Sequence, residues 1–441
     1  MSRVVPDAFI LAVFLTFIVF ALAKALTPSG WGDIVLAWGD GFWALLSFSM
    51  QMSLVMLTGF IVSHSPYVRR GLHAFSSLAK DGRSACALMA FSSMVLAWFH
   101  WGLGIVGSAV LTRYFALRQQ KIHYPLLVAS GYFGMGAIWH AGLSGSAPLL
   151  VATKGHFLES SLGVVPFGQT IFSPWNLILS FITIGVLTAL AWRLYPAKGQ
   201  AVAVCPEATL DQFHTELVDK DEEALQRRIE ARSPAQWLES TYWVNGALGV
   251  CGLMYLALLI GRGRWNFDLN LFNFIFLTLA VLIHPNIKSL LEAAADGAKT
   301  ITGIVLQFPI YAGMFGVIKS TGLANILAQW FASLAGPKTF PLVVYFYSGV
   351  LNYFVPSGGS KWAIEAPYLL EAAKSLGVPA PTLVLSYAWG DMVTDLIQPF
   401  WCLPLLAAAQ IEFRQIMGYL TAAFVAATAV GTVGILILGV L

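Results

Sequence analysis

Apolar residues fill most of this chain in segments of about 20, the length that an α-helix needs to cross a bilayer. Short stretches containing glycine, proline or charged residues separate the segments, so each segment predicts one membrane-spanning helix. The first could instead be a cleaved signal peptide, because Arg3 precedes it and Ala21-Leu22-Ala23 imitates a cleavage site. We favour a permanent helix, since the second half has a matching segment. The nine predicted spans lie near residues 5–27, 42–64, 125–152, 174–195, 241–261, 267–284, 299–318, 382–409 and 414–440.

Two further apolar stretches, 84–118 and 340–375, are too long for one helix and have a polar, glycine-containing middle. The middle reads HWGLG at 100–104 and PSGGS at 356–360. Non-helical backbone at membrane depth is tolerated only where it lines protein or a wet cavity. The pattern predicts two re-entrant hairpins, and a single kinked helix is the alternative for each.

The two halves of the chain repeat each other. An ungapped offset of 256 residues aligns Gln51 with Gln307, Gly134 with Gly390 and Pro148 with Pro404, and it superposes the two hairpin centres. An odd number of crossings between the starts of the two copies inverts the second copy. We therefore predict an all-α membrane protein built as an inverted repeat with two opposed hairpins, the architecture of many secondary transporters. Its predicted parts are a first repeat (1–195), a charged cytoplasmic linker (196–240), a connecting transmembrane helix (241–261) and a second, inverted repeat (262–441).

Composition supports a membrane protein. Apolar residues make up 58% of the chain and charged residues 11%, with a mean hydropathy of +0.73. These values exclude a soluble enzyme, a nucleic-acid binder and a disordered chain, and leave the lipid bilayer as the surrounding partner. The net charge of +3 is too small to predict an acidic partner. The four cysteines lack C-x-x-C spacing, so we expect neither a disulfide framework nor a metal site.

In the predicted topology, the loops on the same side of the membrane as the N-terminus contain more basic residues than the loops on the other side, even without the linker. This bias predicts a cytoplasmic N-terminus in a bacterial inner membrane. The linker contains the only long polar run, and we interpret it as a solvated, charged helix without chemistry. Its charged cluster comprises Asp219, Asp221, Glu222, Glu223, Arg227, Arg228 and Glu230.

Polar groups inside membrane spans are costly and are functional candidates by default. They concentrate at corresponding places in the two halves: the hairpin centres and two helices that small residues or proline interrupt. Broken helices expose backbone N–H groups that suit a carboxylate, so these positions predict a substrate site near mid-membrane. The predicted substrate-binding residues are His100, Trp101, Gly102, Trp139, His140, Ser144, Gly145, Ser146, Ser357, Gly358, Gly359, Ser360 and Lys361.

Several of these residues have an alternative interpretation. Lys361 could extend to the outer surface instead of the site, the serines could bond their own helices, and His100 and His140 could be packing residues. Asp391 and Asp395 share a helix face and could hold a coupling H⁺ or Na⁺, or form a structural ion pair, for instance with Lys361. The predicted coupling residues are Asp391, Thr394, Asp395 and Gln398.

The chain resembles the short-chain fatty acid transporter family, the bacterial acetoacetate and butyrate permeases, over nearly its whole length. The motifs that carry the resemblance are WGDGFW (38–43), YPLL (124–127), LSGS (143–146), QFP (307–309), VPSGG (355–359) and QPFW (398–401). The resemblance implies cation-coupled uptake of acetate-like, butyrate-like or acetoacetate-like monocarboxylates by an elevator movement, in a homodimer without a cofactor.

The chain departs from the expected family pattern at the site itself, with His100, Ser360, Lys361, Asp391 and Asp395 at positions where other residues are usual. An exchanger of a dicarboxylate or another small anion is therefore the alternative function within transport. A channel is a third possible function. An intramembrane enzyme is not expected, because neither H-E-x-x-H nor G-x-S-x-G occurs.

Overall fold

The computed structural model describes residues 8–119, 121–215 and 233–440, which form helices and connecting turns without a β-strand. The charged cluster predicted for the linker, residues 219–230, lies outside these ranges. Ten helices precede the linker: α1 (Ala8–Leu26), α2 (Trp31–Gly41), α3 (Leu46–His64), α4 (Pro66–Ser76), α5 (Gly82–Phe99), α6 (Trp101–Arg118), α7 (Tyr124–Ala137), α8 (Ser146–Val151), α9 (Glu159–Leu162) and α10 (Pro174–Leu194).

Residues 207–215 form α11. The helices that follow are α12 (Pro234–Ser240), α13 (Tyr242–Gly261), α14 (Leu269–Ile283), α15 (Ile287–Ala298), α16 (Thr302–Ser320), α17 (Leu323–Leu334), α18 (Phe340–Phe354), α19 (Gly358–Leu376), α20 (Ala380–Val393), α21 (Leu403–Ala409) and α22 (Phe413–Leu438). Short 3₁₀ turns at Trp139–Ala141, Thr394–Leu396 and Phe400–Cys402 interrupt the two broken helices.

Eight helical segments in the described part of the chain are long and apolar enough to cross a membrane, and a ninth is bent by 65° between Leu396 and Phe400. The protein is therefore a multi-pass membrane protein, as the sequence predicts. Two details differ from the predicted spans. The first hairpin arm, α5, is itself long enough to cross, and α14 has only 15 residues. At 1.5 Å per residue, α14 extends about 22 Å, less than the bilayer core of about 30 Å.

Local sequence signals set the helix starts. Ser65 and Ser173 each accept a hydrogen bond from a backbone N–H of the next turn, and a proline follows each at the first helical position. Asp81 accepts from Ser84 N and begins α5 with a capping box. Capping satisfies N–H groups that would otherwise be unpaired at these ends.

Both long apolar stretches fold back on themselves. Gln119 Nε2, after the end of α6, donates to Ala79 O, before the start of α5, over 3.2 Å. In the second stretch, the Tyr347 and Tyr368 hydroxyls lie 2.8 Å apart across α18 and α19. Each stretch is therefore a pair of antiparallel helices and not one kinked helix.

The open ends of the two hairpins lie at opposite ends of α22. Near the start of α22, Tyr419 Oη lies 2.6 Å from His123 Nε2, four residues beyond Gln119. At its far end, Gly439 contacts the carbonyl of Lys338, two residues before α18. Tyr419 and Gly439 lie 20 positions apart, or about 30 Å along the helix, so the two open ends are separated by about the thickness of the bilayer core.

The helix bounds of the two halves agree at the sequence offset. α3 and α16 start 256 residues apart and end 256 residues apart, and the same holds for α7 and α20. Glycines fill matching roles: a Cβ at Gly134 of α7 would collide with the Ser93 carbonyl of α5, and one at Gly390 of α20 with the Tyr345 carbonyl of α18. In both halves a glycine lets the first hairpin arm pack against the broken helix.

The helices pack in two groups. One contains α5, α7 and α10 with α18, α20 and α22, and the other contains α1, α2 and α16 with α3, α13, α14 and α15. The second hairpin arms lie between the groups, because α6 packs on α3 and α19 packs on α16. This arrangement places the hairpin tips and the broken helices at the centre of the protein.

Candidate functional site: a buried charge cluster at the second hairpin tip

The second hairpin tip contacts both broken helices. A Cβ at Gly358 would lie 2.7 Å from Asp391 Oδ2, 2.7 Å from His140 Cε1 and 2.9 Å from Trp139 Cη2. The neighbouring Gly359 faces Phe48 of α3 and Ser146 of α8. Glycine at both positions lets the backbone of the tip approach these side chains closely. The structure therefore brings the predicted tip together with the predicted break residues.

Lys361 lies at the centre of this contact and has no exposed surface. Its Nζ is 2.9 Å from Asp391 Oδ1 and 3.1 Å from Glu365 Oε1. It also donates to the carbonyl of Ser348 over 2.9 Å and to its hydroxyl over 2.7 Å, and it lies 4.4 Å above the Tyr387 ring. The alternative in which Lys361 extends to the outer surface is therefore wrong, and the ion pair with Asp391 is present.

His140 joins Asp391 to the first broken helix. Its Nδ1 lies 2.6 Å from Asp391 Oδ2, while its Nε2 accepts from the backbone N–H of Ala147 over 3.1 Å and lies 3.0 Å from Ser146 Oγ. A backbone N–H can only donate, so Nε2 carries no proton and Nδ1–H donates to Asp391. His140 is thus a neutral imidazole in this conformation.

Asp395 occupies a separate position from Lys361. It accepts from Trp139 Nε1 over 3.1 Å and from Asn352 Nδ2 over 2.8 Å. Thr394 Oγ1 accepts from the same Asn352 amide over 3.2 Å and donates to Gly349 O over 2.9 Å. These contacts attach the second break to the hairpin arm α18.

The serines of the tip pair with each other. Ser360 Oγ donates to Ser357 Oγ, and Tyr387 Oη donates to Gly358 O. The two hydroxyls lie at the N-terminal turn of α19, where unpaired backbone N–H groups and the helix dipole favour an anion.

The first hairpin tip contributes less to the cluster. His100 points toward α14, with its ring 4.4 Å from that of Phe276 and 5.3 Å from that of Phe272, and Gly102 N donates to its Nδ1 over 3.2 Å. Trp101 contacts the site indirectly: its N–H donates to Ser144 Oγ over 2.9 Å and its ring lies 6.2 Å from that of Trp139. Both histidines are predicted substrate-binding residues, but the structure places His140 in the cluster and His100 against α14.

Two other predicted residues have structural contacts. Gly145 makes a tight turn in which a Cβ would collide with the His140 carbonyl. Gln398 Oε1 accepts from Phe400 N over 2.9 Å and so begins the 3₁₀ turn after the break. Within the described ranges, no three His, Cys, Asp or Glu side chains converge in a way that could hold a metal ion.

Comparison with known proteins matches nearly the whole chain to one family. A family model described as "Short chain fatty acid transporter" matches residues 1–438. The chain belongs to this family. A relative in Escherichia coli (strain K12), provisionally named a short-chain fatty acid transporter, is 34% identical over 436 residues, covering 98% of this chain and 96% of its own. A relative with the same name in Haemophilus influenzae (strain ATCC 51907 / DSM 11121 / KW20 / Rd) is 31% identical over 442 residues, covering 98% and 96%. The protein is accordingly a transporter and not an enzyme.

Two solved structures share the fold. The YdaH transporter of Alcanivorax borkumensis, described as having an unusual topology, matches with a TM-score of 0.57 at 15% identity and covers 99% of this chain and 98% of its own. MtrF of Neisseria gonorrhoeae, described in a class of antimetabolite efflux pumps, matches with a TM-score of 0.60 at 14% identity, covering 99% and 95%. At these identities the likeness establishes the helical transporter fold alone.

The transporter's cluster includes residues that the sequence analysis did not single out. Glu365 and Asn352 are buried, and Ser348 contacts both Lys361 and Glu365. A signal existed for Glu365, because a lysine and a glutamate four residues apart in an apolar helix share one face. Ser348 and Asn352 lie in α18, whose sequence predicts only an apolar hairpin arm.

Proposed function

We propose that this protein is a secondary active transporter that takes up short-chain monocarboxylates such as acetate, butyrate or acetoacetate, coupled to H⁺ or Na⁺. The substrate carboxylate binds between Lys361 and the Ser357–Ser360 tip. The coupling ion binds among the carboxylates of the same cluster. The transporter acts as a homodimer in the bacterial inner membrane with its N-terminus in the cytoplasm.

The fully buried Lys361 carries this proposal. Within residues 8–119, 121–215 and 233–440, it is the only lysine or arginine classed as buried. A buried cation is costly unless it is paired, so its position beside the tip of a membrane hairpin suits a residue that exchanges its carboxylate partners. The N-terminal turn of α19, three residues before Lys361, adds a second favourable contact for an anion.

The same observation favours a monocarboxylate over a dicarboxylate. One lysine can neutralise one carboxylate, and His140 is neutral in the observed hydrogen-bond pattern. A second substrate carboxylate would lack a cation within the described cluster, and an unpaired buried charge is expensive.

We further propose that the halves 1–195 and 262–441 are an inverted repeat, joined by the linker 196–240 and the connecting helix 241–261. The offset of 256 residues between matching helix bounds supports this, as do the hairpin openings at opposite ends of α22. One helix group then moves the site across the membrane while the other stays fixed in the dimer, an elevator movement. The position of α6 and α19 between the groups supports such a division.

Transport by the purified protein in proteoliposomes tests the proposal. Labelled acetate, butyrate and acetoacetate are offered with the H⁺ and Na⁺ gradients imposed separately, and labelled succinate represents dicarboxylates. We expect accumulation of at least one monocarboxylate above equilibrium under one of the gradients, and none of succinate. Succinate accumulation without monocarboxylate accumulation would establish the alternative substrate class.

Counterflow separates a carrier from a channel. Vesicles preloaded with unlabelled substrate should transiently accumulate labelled substrate, because a carrier exchanges one molecule for another. Uptake that neither saturates nor shows counterflow would indicate a channel.

A further inference from the structure

Glu365 is a buried carboxyl that lies outside the hairpin tip and the two helix breaks, and the site described above gives it no role. It lies on α19 one turn beyond Lys361 and has no exposed surface. Its Oε1 is 3.1 Å from Lys361 Nζ, and its Oε2 accepts from Ser348 Oγ over 3.1 Å. These two partners are all that compensates a carboxylate in the interior of a membrane protein.

Lys361 has more oxygen partners than protons. An ammonium group has three N–H donors. Four oxygens lie within 3.1 Å of Nζ: the carbonyl and the hydroxyl of Ser348, Asp391 Oδ1 and Glu365 Oε1. Ser348 takes two of the three donors, so Asp391 Oδ1 and Glu365 Oε1 compete for the one that remains.

The charges of the cluster also do not balance. Glu365, Asp391 and Asp395 are three carboxyl groups, Lys361 is one cation, and His140 is neutral. A substrate carboxylate adds a further negative charge, and no other buried lysine or arginine exists in the described part of the chain. Substrate can therefore enter at low cost only together with a positive charge.

Glu365 is better placed than either aspartate to receive that charge as a proton. Without Lys361, Asp391 would still accept a hydrogen bond from the N–H of His140. Asp395 does not contact Lys361, so it would keep both of its hydrogen-bond donors, Trp139 and Asn352. Glu365 would keep only the Ser348 hydroxyl. A hydroxyl rotates and can accept as well as donate, so it can pair with a protonated Glu365 as well as with an ionised one.

We propose that the substrate carboxylate replaces Glu365 on Lys361 and that Glu365 then takes up the coupling proton. The proton bonds to a Glu365 carboxylate oxygen from the solution on the uptake side. It returns to solution on the other side when the substrate leaves and Lys361 rejoins Glu365. One monocarboxylate anion and one proton then move together, so the step is electroneutral. This inference rests on the proposed function and narrows its coupling ion to H⁺.

The ionisable groups around Glu365 come from several elements. α17 packs against α19 and contributes none, while α16 contributes Tyr311, which is buried, and Lys319, whose Nζ lies 5.6 Å from the centre of the Phe315 ring. The hydroxyls of Tyr347 and Tyr368 pair with each other. The other groups are Lys361 on α19, Asp391 and Tyr387 on α20, and His140 in the first break.

The pH dependence of substrate binding tests the proposal in purified protein. Butyrate affinity is measured over a pH series in which butyrate stays ionised. In wild-type protein the dissociation constant should rise about tenfold per pH unit once Glu365 is ionised in the free protein, because one proton is linked to binding. Glu365→Gln should bind butyrate with little pH dependence, and Glu365→Asp should restore the slope.

The matched control is Glu371→Gln. Glu371 lies on the same helix and faces Lys374 at 3.7 Å, but both side chains are about half exposed. This variant should keep the wild-type slope. In proteoliposomes, Glu365→Gln should lose proton-driven accumulation while exchange between equal butyrate concentrations continues.

A second measurement on wild-type protein does not depend on the folding of a variant. Butyrate added to the weakly buffered protein should remove about one proton from solution per butyrate bound. Binding without proton uptake, or a Glu365→Gln variant that keeps the slope, would overturn the proton assignment and leave monocarboxylate transport standing. Absence of binding or transport of any monocarboxylate by wild-type protein would instead overturn the proposed function.

Discussion

Trp139 Nε1 donates a hydrogen bond to Asp395 Oδ2 over 3.1 Å, and the two residues are 256 positions apart in the chain. This separation equals the offset between matching helices of the two halves, so the bond joins equivalent positions of the two broken helices. The helices also run in opposite directions, because Tyr124 Oη at the start of α7 donates to Ala409 O at the end of α21. The two breaks therefore cross where Trp139 meets Asp395.

Removing this donor should destabilise the protein. Trp139→Phe keeps an aromatic ring beside His140, on which Trp139 stacks at 4.3 Å, but it leaves Asp395 with only the Asn352 amide. A buried acceptor that loses a partner costs about 1–3 kcal/mol. Unfolding in mixed detergent micelles, monitored by near-UV circular dichroism, should show that the free energy of unfolding falls by this amount.

Trp175→Phe is the matched control. Trp175 Nε1 donates over 3.1 Å to the carbonyl of Gly434, a neutral group inside α22 that also has helical hydrogen bonding available. Its loss should cost only about 0.5–1.5 kcal/mol. If the two variants lost equal amounts of unfolding free energy, the hydrogen bond between the two breaks would stabilise the protein no more than an ordinary tryptophan hydrogen bond.

Gly358→Ala should abolish transport. The added methyl would lie 2.7 Å from Asp391 Oδ2 and from His140 Cε1, so the tip could no longer close on the second break. Gly336→Ala is the control, because a Cβ there meets nothing within 4 Å. Butyrate uptake should fall below a tenth of wild type in the first variant and stay unchanged in the second. Wild-type uptake by Gly358→Ala would show that the tip does not need this close approach.

Ser360→Ala should weaken substrate binding without loss of folding. If the tip receives the carboxylate, the variant loses one hydrogen bond to a charged group, which is worth roughly 1.5–3 kcal/mol. Ser375→Ala serves as the control on the same helix, since its exposed hydroxyl only donates to Ala372 O. Calorimetric titration with butyrate measures both, and an unchanged dissociation constant in Ser360→Ala would place the carboxylate elsewhere.

Cysteine labelling tests the inverted repeat. Lys198→Cys and Ser375→Cys are exposed positions next to Gly199 and Gly377, whose positive φ values of 90° and 71° make the glycines themselves unsuitable. Both changes are made in a Cys251→Ser background, because Cys251 is the exposed native cysteine in the described part of the chain. A membrane-impermeant maleimide should label position 198 only from the cytoplasm and position 375 only from outside. Labelling of both from the same side would contradict the inversion.

Helix positions were predictable because the length of each apolar segment and the 256-residue offset between matching residues can be read from the sequence itself. The segment 299–318 corresponds to α16 within a few residues, and the offset of 256 recurs in the helix bounds. The direction in which a side chain points was less predictable. His100 lies at a hairpin tip as expected, but the chain turn aims its ring at Phe272 and Phe276.

The partners of the charged residues depend on contacts between distant segments. Lys361 and Asp391 were recognisable individually as polar residues in apolar surroundings. Their pairing at 2.9 Å requires that α19 pack against α20, which no local pattern encodes. Glu365 lies inside a regular helix, away from the glycine-rich breaks that mark the other site residues in the sequence.

The complete burial of the cluster also bears on electrical leakage. Lys361, Glu365 and Asp391 have no exposed surface, and both carboxyl groups lie within 3.1 Å of the lysine Nζ inside the protein. Solvent on neither side touches them, so these residues offer no route for a proton or ion between the two faces in this conformation. If transport is coupled to an ion gradient as proposed, a cell can hold many idle copies of the protein in its membrane without discharging that gradient.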